Sequence, residues 1–263
     1  MYTTSYVKAS DVADATAKLG VADDGKLLAG GQTLLPTLKQ RLANPDQLID
    51  LAGCGLSGVS KSGDAIKIGA MTCHADVSKH KDVATSNPGL AQLAGGIGDR
   101  QVRNCGTIGG SVANNDPAAC YPAAVLALGG TIHTSNRDIA ADDFFFVLFE
   151  TALDEDEIII AVSLPNPDKS AYIKFPNPAS RYAMVGVFVA KFGDSVRVAV
   201  TGAGEDGVFR ATAIEEALSA NFDSKSLDGI SISEDGLMQD IHASPAYRAH
   251  LIVEMARRAV AAC

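Results

Sequence analysis

Two glycine-rich stretches contain the residues of this chain that are best suited to bind an anion. The first covers residues 29–33 (Ala-Gly-Gly-Gln-Thr), and the second covers residues 106–117 with three glycines, two asparagines and one aspartate. Glycine lets a backbone approach a ligand closely, and successive backbone N–H groups form concavities that bind phosphate. Two such stretches favour a dinucleotide ligand; the alternative is that both are ordinary tight turns.

The elements on either side of the two stretches determine where their N–H groups lie. Residues 26–29 are predicted to form a strand and residues 34–43 a helix, with Thr33 as its N-cap. A helix that begins directly after paired glycines presents free N–H groups and the positive end of its dipole to a phosphate. The second stretch precedes an apolar segment with helical periodicity at residues 117–128. We therefore predict two phosphate-binding loops, each next to a helix.

The rest of the chain contains both strand and helix patterns. Strands are predicted at residues 47–51, 65–70 and 157–164, with helical segments between them. Farther along the chain, three strand-like segments come first and two helices follow. This order predicts an α+β fold in which a second domain begins near Pro165-Asn-Pro167.

The composition excludes several classes of function. The 263 residues carry a formal net charge of −9, which argues against a nucleic-acid partner because phosphate neutralisation requires a basic surface. No apolar run approaches the roughly 20 residues that span a bilayer, and the N-terminus lacks a secretory signal pattern. Five cysteines without C-x-x-C spacing predict a reduced, cytoplasmic protein. His74 and His80 complete no metal-binding pattern and are interpreted as structural.

Two segments match the residue pattern of nucleotide-binding motifs, but the residues around them do not fit those motifs. Residues 20–26 match G-x-x-x-x-G-K, but Leu27 replaces the Ser or Thr that binds Mg²⁺, and the first glycine follows a helix. Residues 202–207 match G-x-G-x-x-G, but Glu205 and Asp206 would repel a pyrophosphate. We predict a hairpin turn at residues 202–207.

Four segments carry a resemblance to a known family: residues 29–36, 97–103, 106–110 and 116–119. Their sequences are AGGQTLLP, IGDRQVR, GTIGG and DPAA. Through them the chain resembles the FAD-binding medium subunit of molybdenum hydroxylases, the family of the flavoproteins of aerobic carbon monoxide dehydrogenase and xanthine dehydrogenase. The resemblance extends over nearly the whole chain.

The resemblance implies a particular domain organisation within the α+β class. Residues 1–166 would form a FAD-binding domain of the vanillyl-alcohol oxidase (PCMH) type, with subdomains at about 1–56 and 57–166. Residues 167–263 would form a smaller α+β C-terminal domain of the carbon monoxide dehydrogenase flavoprotein type.

The family pattern, carried over position by position, implies which residues contact FAD. The segments 29–33 and 107–111 would hold the pyrophosphate through N–H groups and hydroxyls. The charge of Lys174 would lie near the flavin or its phosphates, and Tyr182 would lie close to the isoalloxazine face. The full set of implied contacts is Ala29, Gly30, Gly31, Gln32, Thr33, Leu34, Ile97, Thr107, Ile108, Gly109, Gly110, Ser111, Asn114, Asp116, Cys120, Ile159, Lys174 and Tyr182.

Two cysteines depart from the family pattern. Cys120 stands where many relatives carry an aspartate, and Cys105 stands where an arginine is usual. Because a buried thiol donates only weakly, we expect a lower affinity for FAD than in relatives.

The implied function is electron transfer. FAD in this chain would collect electrons relayed by a two-iron two-sulfur small subunit from a molybdenum-cofactor large subunit, and would reduce an external acceptor. No catalytic residue and no metal ligand is predicted in the chain itself. One alternative is a self-sufficient FAD oxidase of a small organic substrate, although the second domain offers no cluster of acid–base groups for it. The other is a non-catalytic nucleotide-binding module.

Overall fold

The N-terminal part of the chain is built around a small parallel sheet with strand order β1-β3-β2. The computed structural model describes residues 1–263. Parallel neighbours cannot be joined by a tight turn, so two helices make the connections. Apolar side chains of this part pack into a small core of their own. The elements are β1 (Ser5–Lys8), α1 (Val12–Val21), β2 (Gly25–Leu28), α2 (Leu34–Lys39) and β3 (Gln47–Asp50).

A second sheet has five strands, all of them antiparallel to their neighbours, in the order β4-β5-β8-β6-β7. The central strand, β8, comes after several helices in the sequence, whereas its neighbour β5 comes before them. The pairing of β5 with β8 therefore brings together two parts of the chain that are far apart in the sequence. The strands are β4 (Val59–Ser62), β5 (Ala65–Gly69), β6 (Thr131–Thr134), β7 (Asp138–Ala140) and β8 (Ile159–Pro165).

Six short helices lie between β5 and β6. The last of them, α8, is buried at every residue, because its alanines let neighbouring elements approach closely from all sides. These helices and the second sheet share the largest apolar core of the protein. The helices are α3 (His74–Lys79), α4 (Lys81–Ser86), α5 (Pro88–Gly95), α6 (Arg100–Cys105), α7 (Ile108–Asn114) and α8 (Tyr121–Ala127).

The C-terminal part contains a third, antiparallel sheet with strand order β12-β11-β10-β9 and two helices. Both faces of this sheet are buried. Along β10, Val185, Val187 and Val189 pack against the C-terminal helices, while Phe188 and Ala190 belong to the core around α8. The elements are β9 (Lys169–Pro176), β10 (Ala183–Phe192), β11 (Ser195–Gly204), β12 (Gly207–Arg210), α9 (Thr212–Ala220) and α10 (Pro245–Ala262).

The predicted α+β class is confirmed, since helices and separate sheets alternate along the chain. The hairpin predicted at residues 202–207 is also confirmed, because Gly204 pairs with Gly207 at the turn between β11 and β12. The domain boundary at residues 166 and 167 stays a prediction; it falls between β8 and β9. No helix combines the length and the apolar character needed to cross a membrane.

The helix predicted at residues 34–43 is shorter than expected. It ends at Lys39, and the chain then turns through Arg41, which has a positive φ of 60°. Thr33 is the N-cap residue, as predicted, but it has helical backbone angles and its side chain makes no capping hydrogen bond. The Thr33 carbonyl instead accepts the hydroxyl and the N–H of Thr37, so the first turn is fixed from inside the helix.

Candidate functional site

A cavity of about 480 Å³ lies where the first sheet, the helices around α7 and the third sheet meet. This volume is within the range of cofactor and ligand sites. All the predicted FAD contacts except Ile108 line it. They are Ala29, Gly30, Gly31, Gln32, Thr33, Leu34, Ile97, Thr107, Gly109, Gly110, Ser111, Asn114, Asp116, Cys120, Ile159, Lys174 and Tyr182.

Ile108 lies outside the cavity. Its side chain is fully buried in the main core, and its N–H donates to the Thr72 carbonyl. Whether the other predicted residues contact FAD stays a prediction, but the fold brings them to one surface.

The first glycine-rich stretch presents unpaired backbone donors to the cavity. No N–H group from residue 30 to residue 34 has an acceptor within the protein. Gly31 has a positive φ of 67°, a conformation that glycine adopts without the steric cost a Cβ would carry. This turn directs consecutive N–H groups toward the same space, as an anion requires.

The first stretch packs closely against the second. A Cβ added to Gly30 would lie 2.1 Å from the Cys105 carbonyl oxygen and 2.7 Å from the Cα atom of Gly106. A Cβ on Gly110 would lie 3.5 Å from the Cβ of Ala29. The two stretches therefore form adjoining parts of one wall, and glycine at position 30 is required by backbone contact.

The second stretch is largely a helix and was wrongly predicted as a loop of exposed N–H groups. Thr107 caps α7 by accepting the Gly110 N–H on its side chain at 3.2 Å. The Gly109 N–H donates to the Ala70 carbonyl at 2.8 Å, and the Ser111 N–H donates to the Thr107 carbonyl. Glycine is needed at position 109 because a Cβ there would lie 2.5 Å from that of Ala70.

These hydrogen bonds leave few donors free in the second stretch. The Thr107 N–H and the Ser111 hydroxyl have no partner in the protein. Most of the free backbone donors therefore belong to the first stretch. The second stretch contributes a close-packed surface, the Ser111 hydroxyl and the side-chain amide of Asn114.

Lys174 lies in the cavity wall with its ammonium group already fixed. The Nζ atom donates to the carbonyls of Gly96 and Arg181, at 2.8 and 2.9 Å, and lies 3.6 Å from the Cys120 Sγ atom. Lys174 therefore places a positive charge on the wall and joins β9 to two neighbouring loops. The Cys120 thiol is 5 % exposed and lines the cavity next to this charge.

Tyr182 and Asp116 face the same end of the cavity. Tyr182 is 47 % exposed, an unusual exposure for an aromatic residue in the wall of a cavity. Burial raises its phenol pKa, and the nearby Asp116 and Cys120 raise it further. Burial also raises the pKa of Asp116, opposed by the hydrogen bond from the Ala118 N–H. A flat aromatic ligand would cover the exposed ring of Tyr182.

Several residues that line the cavity were not predicted from the sequence. They include His74, which was interpreted as structural, and Glu157, which was assigned to a predicted strand. The others that carry charge are Lys26 and Arg181. No local motif marks these residues, because the fold alone brings them to the cavity from four different parts of the chain.

Glu157 is buried and lies in a hydrogen-bonded network. It accepts the Thr134 hydroxyl, the Asp154 N–H at 3.0 Å, and the Arg137 guanidinium at 3.0 and 3.1 Å. Burial alone would raise the pKa of Glu157, but these hydrogen bonds and the Arg137 charge lower it to about 2. The carboxylate is thus held ionised behind the cavity wall.

The low pKa of Glu157 predicts a loss of stability in acid. The stabilisation is complete above the ordinary glutamate pKa of 4.5 and is lost as the pH falls toward 2. We expect Glu157→Gln to lower the free energy of unfolding at pH 7 by roughly 3 kcal/mol and to flatten its pH dependence between 4.5 and 2. Urea unfolding at several pH values measures both effects. Glu150→Gln, at an exposed carboxylate without an ion pair, is the control, and equal slopes in the two variants would contradict the prediction.

The cavity fits FAD on three observations. The run of unpaired N–H groups at residues 30–34 matches the acceptor oxygens of a pyrophosphate. The ammonium group of Lys174 places a positive charge on the cavity wall, which favours an anionic ligand. The exposed ring of Tyr182 offers a surface for the isoalloxazine. The fold and this cavity define a flavin-dinucleotide-binding protein.

Comparison with known families agrees with that class. The family model described as the FAD binding domain in molybdopterin dehydrogenase matches residues 2–167. The chain belongs to this family.

Similar proteins match over almost the full length of the chain. The medium subunit of nicotine 6-hydroxylase from Paenarthrobacter nicotinovorans is 35 % identical over 97 % of this chain and 95 % of its own. The medium chain of carbon monoxide dehydrogenase from Hydrogenophaga pseudoflava is 32 % identical over the same shares. The crystal structure of reconstituted CO dehydrogenase from Oligotropha carboxidovorans superposes with a TM-score of 0.89 at 29 % identity, covering 99 % of this chain and 97 % of that one.

Proposed function

We propose that this chain is the FAD-binding medium subunit of a heteromeric molybdenum hydroxylase. The observation that carries the proposal is a FAD-compatible cavity in a chain that matches medium subunits from end to end. Bound FAD supplies the redox chemistry, accepting electrons from an iron–sulfur subunit and passing them to an external acceptor.

The chain itself positions and encloses the cofactor. The N–H groups of residues 30–34 bind the pyrophosphate, and α7 closes the wall beside it. Tyr182 would lie against one face of the ring system, and Lys174 holds a fixed positive charge at the same end of the cavity. Most of the cavity lining that remains is apolar.

The partners are a molybdenum-cofactor large subunit and a two-iron two-sulfur small subunit. The similar proteins are named as medium subunits or medium chains, which places them between a larger and a smaller polypeptide. We also propose a cytoplasmic location, supported by five cysteines that are all free. Residues 1–166 would act as the FAD-binding domain and residues 167–263 as the C-terminal domain, supported by the change of sheet between β8 and β9.

A self-sufficient FAD oxidase is the less favoured alternative. An oxidase would bind its own substrate, yet the proteins that match almost the whole of this chain are subunits of larger dehydrogenases and hydroxylases. The same matches argue against a non-catalytic nucleotide-binding module.

The absorption spectrum of the protein purified natively, together with its metal content, tests the function. We expect flavin bands in a fraction that also contains iron and molybdenum. Flavin alone, reduced by a small alcohol or amine, would support the oxidase. A chain that takes up no flavin after FAD is added would overturn both assignments.

A further inference from the structure

His74 is a polar side chain without a partner at the wall of the FAD cavity. It is the first residue of α3, it is 5 % exposed, and it lines the cavity. Its Nδ1 atom is sealed and has no hydrogen-bond partner, whereas its Nε2 atom is not sealed and also has no partner within the protein. Polar atoms of buried side chains are nearly always hydrogen-bonded, so the open Nε2 atom is the one that a ligand in the cavity can satisfy.

The position of His74 points to the part of the ligand that it meets. A Cβ added to Gly106 would lie 2.6 Å from the Nε2 atom, so the imidazole is seated directly against that glycine. The Cα of Gly106, together with the Cys105 carbonyl oxygen, in turn excludes a Cβ from Gly30. His74, Gly106 and Gly30 therefore form a stack, in which the imidazole of His74 lies against Gly106 and Gly106 lies against Gly30, with no other side chain between them. The run of free N–H groups that fits a pyrophosphate begins at Gly30, at one end of the stack.

The protonation state of His74 makes it a donor of one hydrogen bond. Burial lowers its pKa to about 4, and the nearby Arg103 contributes to the shift, so the ring is neutral at pH 7. A neutral imidazole carries one N–H. The sealed Nδ1 side holds no acceptor, and burying an unpaired N–H there would cost about 1–3 kcal/mol. The proton is therefore favoured on Nε2, at the side of the glycine stack. Tyr121, whose ring centroid lies 5.2 Å away, restricts the ring orientation.

We propose that the Nε2–H group of His74 donates a hydrogen bond to a pyrophosphate oxygen of FAD. This inference rests on the proposed function and adds a side-chain donor from α3 to the backbone donors of the first stretch. A neutral donor suits this position, because Arg103 disfavours a second positive charge there.

FAD affinity in position-74 variants tests the proposal. His74→Leu removes the donor and keeps an apolar side chain of similar size, whereas His74→Gln keeps an N–H near the Nε2 position. We expect His74→Leu to raise the FAD dissociation constant about 10- to 100-fold in a flavin-fluorescence titration of the deflavinated full chain. His74→Gln should restore it to within a few-fold of the wild type. ADP, which carries the pyrophosphate without the flavin, should weaken by the same factor as FAD in His74→Leu.

His80→Leu is the matched control. His80 follows the same helix and also has an unpaired Nδ1 atom, but it lies outside the cavity, so FAD affinity should not change. The proposal is overturned if His74→Leu binds FAD within twofold of the wild type. It is also overturned if the Leu and Gln variants weaken binding equally, which would indicate packing alone. A wild-type chain that binds no FAD would instead contradict the proposed function.

Discussion

The substitution Gly30→Ala should leave the chain unable to retain FAD. The new Cβ would lie 2.1 Å from the Cys105 carbonyl oxygen and 2.7 Å from the Gly106 Cα atom. Both obstacles are backbone atoms, and Gly106 cannot retreat because His74 lies directly behind it. The first stretch must therefore move away and turn its free N–H groups out of register with the pyrophosphate.

The expected effect on affinity is large. Hydrogen bonds to a charged group contribute about 1.5–3 kcal/mol each, so losing two of them raises the FAD dissociation constant at least about 100-fold. Fluorescence titration with FAD measures this change, and circular dichroism of the apoprotein verifies that the variant is folded.

Gly20→Ala makes the same chemical change at a position without contacts. Gly20 lies in α1 with nothing within 4 Å of an added Cβ, so FAD affinity should stay unchanged. Its stability should rise by up to about 1 kcal/mol, because alanine is the better helix former. If Gly30→Ala binds FAD as tightly as Gly20→Ala, the close contact of the two stretches does not control binding.

The first stretch shows what the sequence can predict about this site. A strand, paired glycines and a helix start are local patterns, and each follows from short-range conformational preferences. Glycine at position 31 was predictable from the turn that the chain must make, and the structure gives it a positive φ. The pattern placed Thr33 correctly at the N-cap, but it could not show that the Thr33 side chain makes no capping hydrogen bond.

The second stretch shows where local reasoning fails. Its three glycines disfavour a helix on intrinsic preference, and a loop was the natural prediction. Tertiary contacts reverse that preference, since Gly109 fits directly against Ala70 and the Gly109 N–H donates to the Ala70 carbonyl. The glycines are there for close packing as much as for ligand approach.

His74 shows why the rest of the site needed the fold. The glycines that it meets, Gly106 and Gly30, lie in connections between other elements, far from it in the sequence. No spacing rule connects three residues that meet only after α3, α6 and the first sheet have packed. The resemblance implied FAD contacts for the glycine-rich motifs, but it did not mark the histidine that lies against Gly106.

The substitution Arg248→Met should cost more stability than any change at the exposed surface. Arg248 is 2 % exposed, and its guanidinium donates to the carbonyls of Met184, Gly202 and Met238 at 2.6–3.0 Å. It also pairs with Asp240 at 2.7 Å. Methionine fills similar space but leaves the carbonyls without donors. We expect the free energy of unfolding to fall by about 3–5 kcal/mol, because three carbonyls each lose a charged donor.

The loss of the Arg248 hydrogen bonds in the C-terminal part should also loosen the wall of the cavity. The Gly202 N–H donates to the Pro117 carbonyl at 2.7 Å, and the Thr201 hydroxyl donates to the carbonyls of Pro117 and Ala119. Arg248 fixes the end of β11 that holds this segment, so its loss loosens the wall next to Cys120. Urea unfolding of the full chain, with and without saturating FAD, measures the stability and the recovery that ligand binding provides.

Arg258→Met is the control on the same helix, because it removes an exposed guanidinium instead of a buried one. Arg258 is paired only with Glu254, and its side chain is 61 % exposed. Exposed pairs of this kind contribute about 0.3–0.5 kcal/mol, so this variant should unfold almost as the wild type does. Equal losses of stability in the two variants would mean that the buried hydrogen bonds of Arg248 add nothing to what an exposed arginine on α10 contributes. A large loss at position 248 alone would show that the C-terminal helix stabilises the strands that carry the cavity wall.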